Sequence, residues 1–318
     1  MTLRIFTLLA VLLPTLACAQ GFPSKPVRIV VPFGPGGVAD IVTRTLAPKL
    51  SEGLGQPVLI ENKPSAGGIL AAEAVARAEP DGHTLLLLNN GNAVSSALFK
   101  SLPYDPVNDF AMVSTVGRFG LVIVTDPASP AKSLQDLVAA AKAAPGTMNI
   151  GTIGLGSTQH LGAELFRSSA GVNLQIIPYK ATPEVFAALK NRDAHAAFEF
   201  LTPVLGQIRG GSLRALAVTS ASRSPVLPEV PTAIESGLAG FDVSSWNGLA
   251  VPAKTPRAAV ARLHQEVLKA VAAPEVQKRL LELGVEGRTS TPEEFRDFFI
   301  AESRRWSRVV EAARIEKR

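Results

Sequence analysis

Short apolar stretches alternate with amphipathic stretches along most of the chain. Residues 27–31, 58–60, 85–88 and 121–124 are apolar stretches of strand length, and residues 85–88 are all leucine. A run of this kind is typical of a strand that is buried on both faces. Further strands are predicted near 149–150, 174–177, 196–198, 213–218 and 249–251.

Amphipathic segments between these runs predict helices over 38–50, 68–78, 133–144 and 158–169, and Pro183 is well placed in the first turn of the next helix. Repeated strand–helix units favour parallel sheets with helices on both faces. Two such series, before about residue 120 and from about 120 to 220, predict two α/β lobes.

After Pro256 the pattern becomes helical. Val260, Leu263, Val267 and Val271 recur at the spacing of one helix face. Thr291 and the proline and acids that follow it are typical of a helix start, and this helix is predicted to continue to about 316. We expect these closing helices to pack on the first lobe.

The composition supports a soluble two-domain protein. The chain has 318 residues, of which 47% are hydrophobic and 19% are charged. This length suggests two domains, and the hydrophobic fraction is sufficient for a well-formed core. The same values exclude a collagen, a coiled coil, a disulfide-rich mini-protein and a polytopic membrane protein.

The N-terminus has the layout of a secretory signal peptide. Arg4 precedes a short apolar run at 5–13, and small residues at 17 and 19 form a cleavage site. We predict a signal peptide over 1–19, with cleavage after Ala19 and export of the mature protein. Alternatively, Cys18, the chain's single cysteine, is a lipoprotein acylation site, although Thr15 stands where such signals usually have leucine.

The first candidate site is the glycine-rich turn after the strand predicted at 27–31. A strand, a glycine-rich turn and a helix N-terminus together can bind an anion through backbone N–H groups. A tight turn without a ligand explains the same residues. Asp40 is expected to orient the loop rather than to touch a ligand carboxylate, because it would repel that anion. The candidates here are Pro32, Phe33, Gly34, Gly36, Gly37 and Asp40.

The same turn partly matches a dinucleotide-binding fingerprint. Gly34, Gly36 and Ala39 fit the loosened pattern, and Glu61 ends the next strand, where a ribose-binding acid would lie. Pro35 argues against this function, because it removes a phosphate-facing N–H. A dinucleotide-dependent enzyme therefore stays as an alternative class.

A second glycine-rich turn follows the strand predicted near 149–150. Ser157 could be the N-cap of the next helix, an anion ligand, or both. A nucleophilic serine is disfavoured, since Leu155 and Gln159 replace the glycines of the G-x-S-x-G motif. The candidate residues are Gly156, Ser157, Thr158 and His160.

Other candidates follow strands elsewhere in the chain, where turn chemistry alone is also sufficient. They are Ser65, Gly67, Asn89, Asn92, Tyr179 and Lys180. The spacing of the histidines gives no metal motif. Basic residues of the last helix alternate with acids, which favours a solvated face over nucleic-acid binding.

Taken together, these motifs resemble the Bug-type extracytoplasmic solute receptors of tripartite tricarboxylate transporters, over essentially the whole mature chain. The similar stretches are 26–37 with Asp40, 58–68, 80–85, 102–107, Gly156–Ser157 with His160, 178–180, 213–219 and 227–232. The resemblance implies a two-lobed periplasmic binding protein fold (type II, flytrap-like), with a ligand cleft between the lobes.

The resemblance also implies a function. Such receptors bind small carboxylates, largely through backbone N–H groups and water, and deliver them to membrane permease subunits. Three positions depart from the family pattern: Ser65 and the 181–183 segment replace glycines, and Glu199 stands where an aspartate is usual. We add Glu199 to the candidate ligand-binding residues.

We therefore expect a monomeric, non-enzymatic receptor without cofactor, metal or nucleic-acid partner. Lobe 1 is predicted over 20–120 and 222–318, and lobe 2 over 121–221. A receptor that reports its ligand to a signalling system, rather than to a permease, is the alternative within this class.

Overall fold

The computed structural model describes residues 21–317. The predicted signal peptide, its cleavage site and Cys18 lie outside the described residues. The strands are β1 (Val27–Val31), β2 (Val58–Asn62), β3 (Thr84–Asn89), β4 (Phe110–Thr125), β5 (Asn149–Ile153), β6 (Gln175–Tyr179), β7 (Ala196–Phe200), β8 (Arg214–Val218), β9 (Ser244–Pro252) and β10 (Val285–Glu286).

The helices fill the segments between the strands and the end of the chain. They are α1 (Val38–Leu54), α2 (Ile69–Ala76), α3 (Asn90–Leu98), α4 (Leu134–Ala143), α5 (Thr158–Ser169), α6 (Thr182–Asn191), α7 (Leu201–Arg209), α8 (Arg257–Ala272), α9 (Pro274–Glu282) and α10 (Pro292–Ala312). Within residues 21–317, no helix combines the length and apolar character needed to cross a membrane.

The sheet is mixed, whereas the repeated strand–helix units predicted parallel pairing alone. The strand order is β2-β1-β3-β9-β4-β7-β5-β6, with β8 and β10 also pairing with β4. The β1–β2, β1–β3, β5–β6 and β5–β7 pairs are parallel. The prediction was wrong where β9 and β4 enter, because each runs antiparallel to its neighbours.

The long strand β4 joins the two lobes. Its first part pairs with β9, and residues 121–125 pair with β7 and β8. Only the apolar end of this strand, at 121–124, was predicted. Ser114, Thr115, Gly117 and Arg118 interrupt the apolar pattern before it.

Each lobe has apolar side chains packed on both faces of its part of the sheet. In lobe 1, one face packs against α1, α8 and α9, and the other packs against α2 and the start of α10. In lobe 2, one face packs against α4 and α5, and the other against α6 and α7. This arrangement brings the carboxyl ends of the parallel strands of each lobe, and the helix starts that follow them, towards the other lobe.

We propose that the chain returns to lobe 1 later than the predicted residue 222. Leu227 and Val230 are buried in the α6–α7 cluster, and Phe241 and Val243 in the α4–α5 cluster. These side chains pack in lobe 2, so we propose that lobe 2 extends over 121–243 and that β9 begins the return.

One threonine connects the two crossings between the lobes. The buried Thr219 hydroxyl lies 2.6 Å from the Val243 carbonyl oxygen, to which it donates, and accepts the Leu121 N–H at 3.1 Å. With the lobe bounds proposed above, Leu121 and Val243 are the residues at which the chain would enter and leave lobe 2. We propose that this contact sets the hinge.

The closing helices are shared between the lobes. Helix α8 packs on α1 of lobe 1, as expected. Helix α10 begins in lobe 1, where Phe295 and Phe299 pack edge-on against Trp246, and its Trp306 and Val310 lie in the cluster that α3 shares with α4 and α5. Helix α10 therefore contacts both α3 of lobe 1 and α5 of lobe 2.

Candidate functional site

The first glycine-rich loop, residues 32–37, connects β1 to α1. Gly36 has a φ of +85°, and helix α1 begins after Gly37 without any side chain capping it. Residues 35–37 are exposed, as is Phe33, which has 41% of its surface accessible. An uncapped helix start has N–H groups free for a ligand, and the helix dipole there favours an anion.

A buried polar network holds this loop in place. Asp40 Oδ2 accepts the Gly36 N–H at 2.9 Å, and both Asp40 oxygens accept from Arg44 Nε at 3.0 Å. Asn62 of β2 donates to Asp40 Oδ1 at 2.9 Å and to the Phe33 carbonyl oxygen at 3.0 Å. Asp40 therefore has the contacts needed to orient the loop.

The same network also lowers the pKa of Asp40. Burial raises the pKa of this carboxyl group, but hydrogen bonds from Arg44, the Gly36 N–H and Asn62 outweigh that effect and hold the pKa below its ordinary value. Arg44 and Asn62 were not among the predicted site residues. The i, i+4 spacing of Asp40 and Arg44 on one helix face was the signal that could have identified Arg44.

The loop at 63–68 supports the first glycine-rich loop from one side. The Ser65 hydroxyl accepts the Leu70 N–H at 3.0 Å. Gly67 and Gly68 have positive φ angles, and a side chain on Gly68 would meet Pro32 and the Asn92 amide. Ser65 and Gly67 thus have clear structural roles at this place.

The predicted asparagines mainly stabilise the start of α3. The Asn89 side chain accepts the Gly91 N–H at 2.6 Å, and Asn92 Oδ1 accepts the Asn89 backbone N–H at 3.1 Å. Together they form a capping box. Their amides are therefore used locally, although both residues lie beside the first glycine-rich loop.

Asn90, which was not named among the predicted site residues, makes a contact between the lobes. Its Oδ1 accepts from Trp246 Nε1 at 3.2 Å, and its Nδ2 lies 3.3 Å from the Thr158 hydroxyl of α5. Trp246 fixes the orientation of this amide. No pattern separates Asn90 from its neighbours in the sequence, because its partners are distant along the chain.

The second glycine-rich loop, residues 154–157, connects β5 to α5. Ser157 caps α5: its hydroxyl accepts the His160 N–H at 3.1 Å and donates to the Ile153 carbonyl oxygen. Gly156 has a φ of +79° and packs so closely on Leu98 that a side chain there would overlap it. Thr158 and His160 are buried in the first turn of α5.

Tyr179 and Lys180 lie at the end of β6. The Tyr179 ring packs partly buried against the α6 side of lobe 2, and burial raises the pKa of its hydroxyl. Lys180 is exposed, and its backbone N–H donates to Glu184 at 3.1 Å. The ammonium group of Lys180 is therefore open to solvent beside the start of α6.

Glu199 lies near the carboxyl end of β7 and is completely buried. Its Oε2 accepts from the Thr182 hydroxyl at 3.2 Å. Burial raises the pKa of this carboxyl group to about 7, while Thr182, Gln159 and the Phe200 N–H partly oppose the shift. Glu199 is thus an acid whose charge changes near neutral pH.

The predicted site residues therefore gather at the carboxyl ends of parallel strands in both lobes, and the Asn90–Thr158 contact joins the two groups. A groove of about 620 Å³ between α3 and α10 is lined by none of them. Within residues 21–317, no three histidine, cysteine or acidic side chains gather in a way that could hold a metal ion.

Two α/β lobes whose helix starts meet at Asn90 and Thr158 are typical of a solute-binding protein of the periplasmic type. The chain belongs to the tripartite tricarboxylate transporter receptor family, because the sequence model described as "Tripartite tricarboxylate transporter family receptor" matches residues 42–315. Members of this family bind solutes, so the chain is not an enzyme. The dinucleotide alternative is thereby wrong, and Glu61 instead pairs with Arg28 at 2.8 Å.

Similar proteins agree with this assignment. The protein BugT of Bordetella pertussis is 37% identical over 294 residues, which cover 92% of this chain and 90% of BugT. The structure of the periplasmic binding protein BugD is 33% identical, covers 93% of this chain and all of BugD, and has a TM-score of 0.82.

Two similar structures from Rhodopseudomonas palustris contain ligands. Rpa4515 with adipate is 31% identical, with a TM-score of 0.84 over 93% of this chain and 100% of Rpa4515. MatC with bound malate is 32% identical, with a TM-score of 0.79 over 91% of this chain and 100% of MatC. These scores confirm the predicted two-lobed α/β fold.

Proposed function

We propose that this protein captures a small carboxylate in the periplasm, between the first glycine-rich loop of lobe 1 and the helix starts of lobe 2. The observation that carries the proposal is the uncapped start of α1, which Asp40 and Asn62 hold in an exposed loop. A carboxylate accepts several N–H bonds at such a place, directly or through water.

The two ligand-bound similar structures support this ligand class, because adipate and malate are both dicarboxylates. In this chain, Phe33 and Leu155 expose 41% and 39% of their surfaces at the tips of the two glycine-rich loops. Apolar side chains at these tips would contact the hydrocarbon part of such a ligand. The proposed contacts thus combine N–H donors with apolar surface.

We further propose that the loaded receptor delivers its ligand to the membrane permease subunits of a tripartite tricarboxylate transporter. The family assignment supports this role. On the same grounds we propose that the chain is exported with cleavage after Ala19 and acts as a monomer. Mass spectrometry and size-exclusion chromatography of the periplasmic protein test these two points.

A thermal-shift screen tests the proposed function. A carboxylate at about 100 times its dissociation constant should stabilise the protein by about 2.7 kcal/mol, which is a shift of several degrees for a chain of this size. The panel should contain mono- and dicarboxylates, with neutral sugars and polyamines as controls. A panel in which only the sugars or polyamines shifted the melting temperature would contradict the proposal.

A further inference from the structure

Lobe 2 contains a cluster of buried polar atoms that the contacts within the protein do not satisfy. Glu199 Oε1 and both side-chain atoms of Gln159 have no hydrogen-bond partner among residues 21–317. Glu199 is 0% exposed and Gln159 is 1% exposed. A buried polar group that lacks a hydrogen-bond partner destabilises the folded state. Gln159 and Glu199 lie close to each other, and the acceptor oxygens of this pair still have hydrogen-bonding capacity for another molecule.

The cluster lies where the second group of a cleft ligand would be. Glu199 is near the carboxyl end of β7, Gln159 is in the first turn of α5, and Thr182 begins α6. Gln159 comes close enough to Glu199 to lower its pKa, although it does not reach hydrogen-bond geometry. Gln159 directly follows Thr158, which contacts Asn90 of lobe 1 across the cleft.

No lysine or arginine among residues 21–317 pairs with Glu199. The ionisable side chains on the elements around it include His160 on α5, Tyr179 on β6, and Lys180 and Glu184 beside the start of α6; Glu164, Arg167 and Lys190 lie further along α5 and α6. Lys180 is exposed, and no lysine or arginine contributes to the pKa of Glu199. Within the described chain, neither lysine nor arginine therefore pairs with the carboxyl group of Glu199.

These polar atoms determine which kind of ligand group could bind beside them. The oxygens of Gln159 and of an ionised Glu199, the form that prevails at pH 8, accept hydrogen bonds, so both need a donor. A second carboxylate cannot donate, and it would also be repelled by an ionised Glu199. A hydroxyl or an ammonium group can donate to Glu199, and a hydroxyl can also accept from the Gln159 amide.

We propose that Glu199 and Gln159 form a donor-recognition subsite that selects carboxylates carrying a hydroxyl or amino group. This inference rests on the proposed function, because the first glycine-rich loop must hold the carboxylate end. The ligand class is then the hydroxy and amino carboxylic acids, rather than unsubstituted mono- or dicarboxylates.

Isothermal titration calorimetry at pH 8 with ligands of matched carbon skeleton tests the subsite. One set is succinate, L-malate and L-aspartate, and the other is propionate, L-lactate and L-alanine. In each set that binds, we expect the hydroxy or amino compound to bind at least tenfold more tightly than the unsubstituted acid. Comparison of the hydroxy compound with the amino compound in each set shows which donor group the subsite prefers.

The variant Glu199→Gln should reduce this preference to less than threefold without loss of the folded state. Glu229→Gln, an exposed glutamate of the same lobe, is the matched control and should retain the wild-type preference. Thr182→Val removes the hydroxyl that orients Glu199 and should weaken the preference in part. Its intact carboxyl group provides a second test if Glu199→Gln fails to fold.

The outcomes separate the two proposals. If wild-type protein binds carboxylates but treats succinate and malate alike, or if Glu199→Gln leaves their ratio unchanged, the subsite is wrong and the proposed function stands. If no carboxylate binds, the proposed function fails and the subsite fails with it.

Discussion

The two glycine-rich loops look alike in sequence but begin their helices in different ways. Helix α1 follows residues 32–37 without a side-chain cap, and Asp40 turns back to hold the Gly36 N–H. Helix α5 is capped by Ser157, and its loop is packed through Gly156 against Leu98. The first loop therefore offers N–H groups to a ligand, whereas the second mainly offers a surface that closes over it.

This difference suggests that the two lobes have different roles in ligand binding. Lobe 1 would bind the carboxylate, and lobe 2 would complete the site through Thr158 and the buried polar groups behind it. Contacts that lobe 2 makes only when the lobes meet, such as Thr158 with Asn90, would then control closure. The substitutions below test the two loops separately.

We expect the largest effect on stability from Glu199. Its pKa of about 7 in the folded protein lies above the value of about 4.3 expected for an unfolded chain, so the folded state loses stability as pH rises from about 4 through 7. The loss is at most about 3.6 kcal/mol at pH 8, against about 1 kcal/mol at pH 5. Glu199→Gln removes this loss, so the variant should gain clearly more melting temperature relative to wild type at pH 8 than at pH 5.

Differential scanning calorimetry of both proteins at the two pH values measures this gain. Glu229→Gln is again the control, and its difference from wild type should be the same at both values. An equal Glu199→Gln difference at pH 5 and pH 8 would show that the buried carboxyl group does not titrate in this range.

A side chain at Gly156 should prevent the lobes from meeting. Gly156→Ala would overlap Leu98, so we expect at least tenfold weaker carboxylate binding by calorimetry. Gly171→Ala is matched, because Gly171 also has a positive φ in lobe 2 but has no atom near its missing side chain. The double variant Gly156→Ala/Leu98→Ala should recover part of the affinity, and no recovery would contradict the steric explanation.

Asp40→Asn should disturb the first glycine-rich loop. The neutral amide loses the Arg44 ion pair and holds the Gly36 N–H less strongly, so we expect about 1–3 kcal/mol lower stability and weaker binding of each carboxylate. Urea unfolding and calorimetry measure these effects. Equally tighter binding of all carboxylates would show instead that Asp40 only repels the ligand.

The smallest effect is expected at Ser157. Ser157→Ala removes the cap of α5 and should cost about 1 kcal/mol of stability, as should Ser133→Ala at the cap of α4. Because the Ser157 hydroxyl is already used within its own loop, carboxylate affinity should change less than threefold. A large loss of affinity from Ser157→Ala alone would remove the distinction between the two loops.

Local patterns predicted what depends on neighbours in sequence. The strands at 27–31 and 85–88, the cap at Ser157 and the helix start at Pro183 were confirmed, because apolar periodicity and turn chemistry determine them. The candidate loops also lie at the strand ends where they were expected. Their roles in binding stay predictions.

The remainder depends on partners that are distant in sequence. The antiparallel pairing of β9, the sharing of α10 between the lobes and the contact of Asn90 with Thr158 each join segments separated by long stretches of chain. Nor could the sequence show that the Asn89 and Asn92 side chains would be used by their own helix start. Only the packed structure reveals these partners.

The most direct test of the central claim is a crystal structure of the protein with a bound carboxylate, for which L-malate is the first choice. Our account predicts that one carboxylate group lies at the start of α1, with its oxygens or a bridging water about 2.7–3.2 Å from the N–H groups of residues 37–39. A malate held mainly by Lys180, or bound in the groove between α3 and α10, would contradict it.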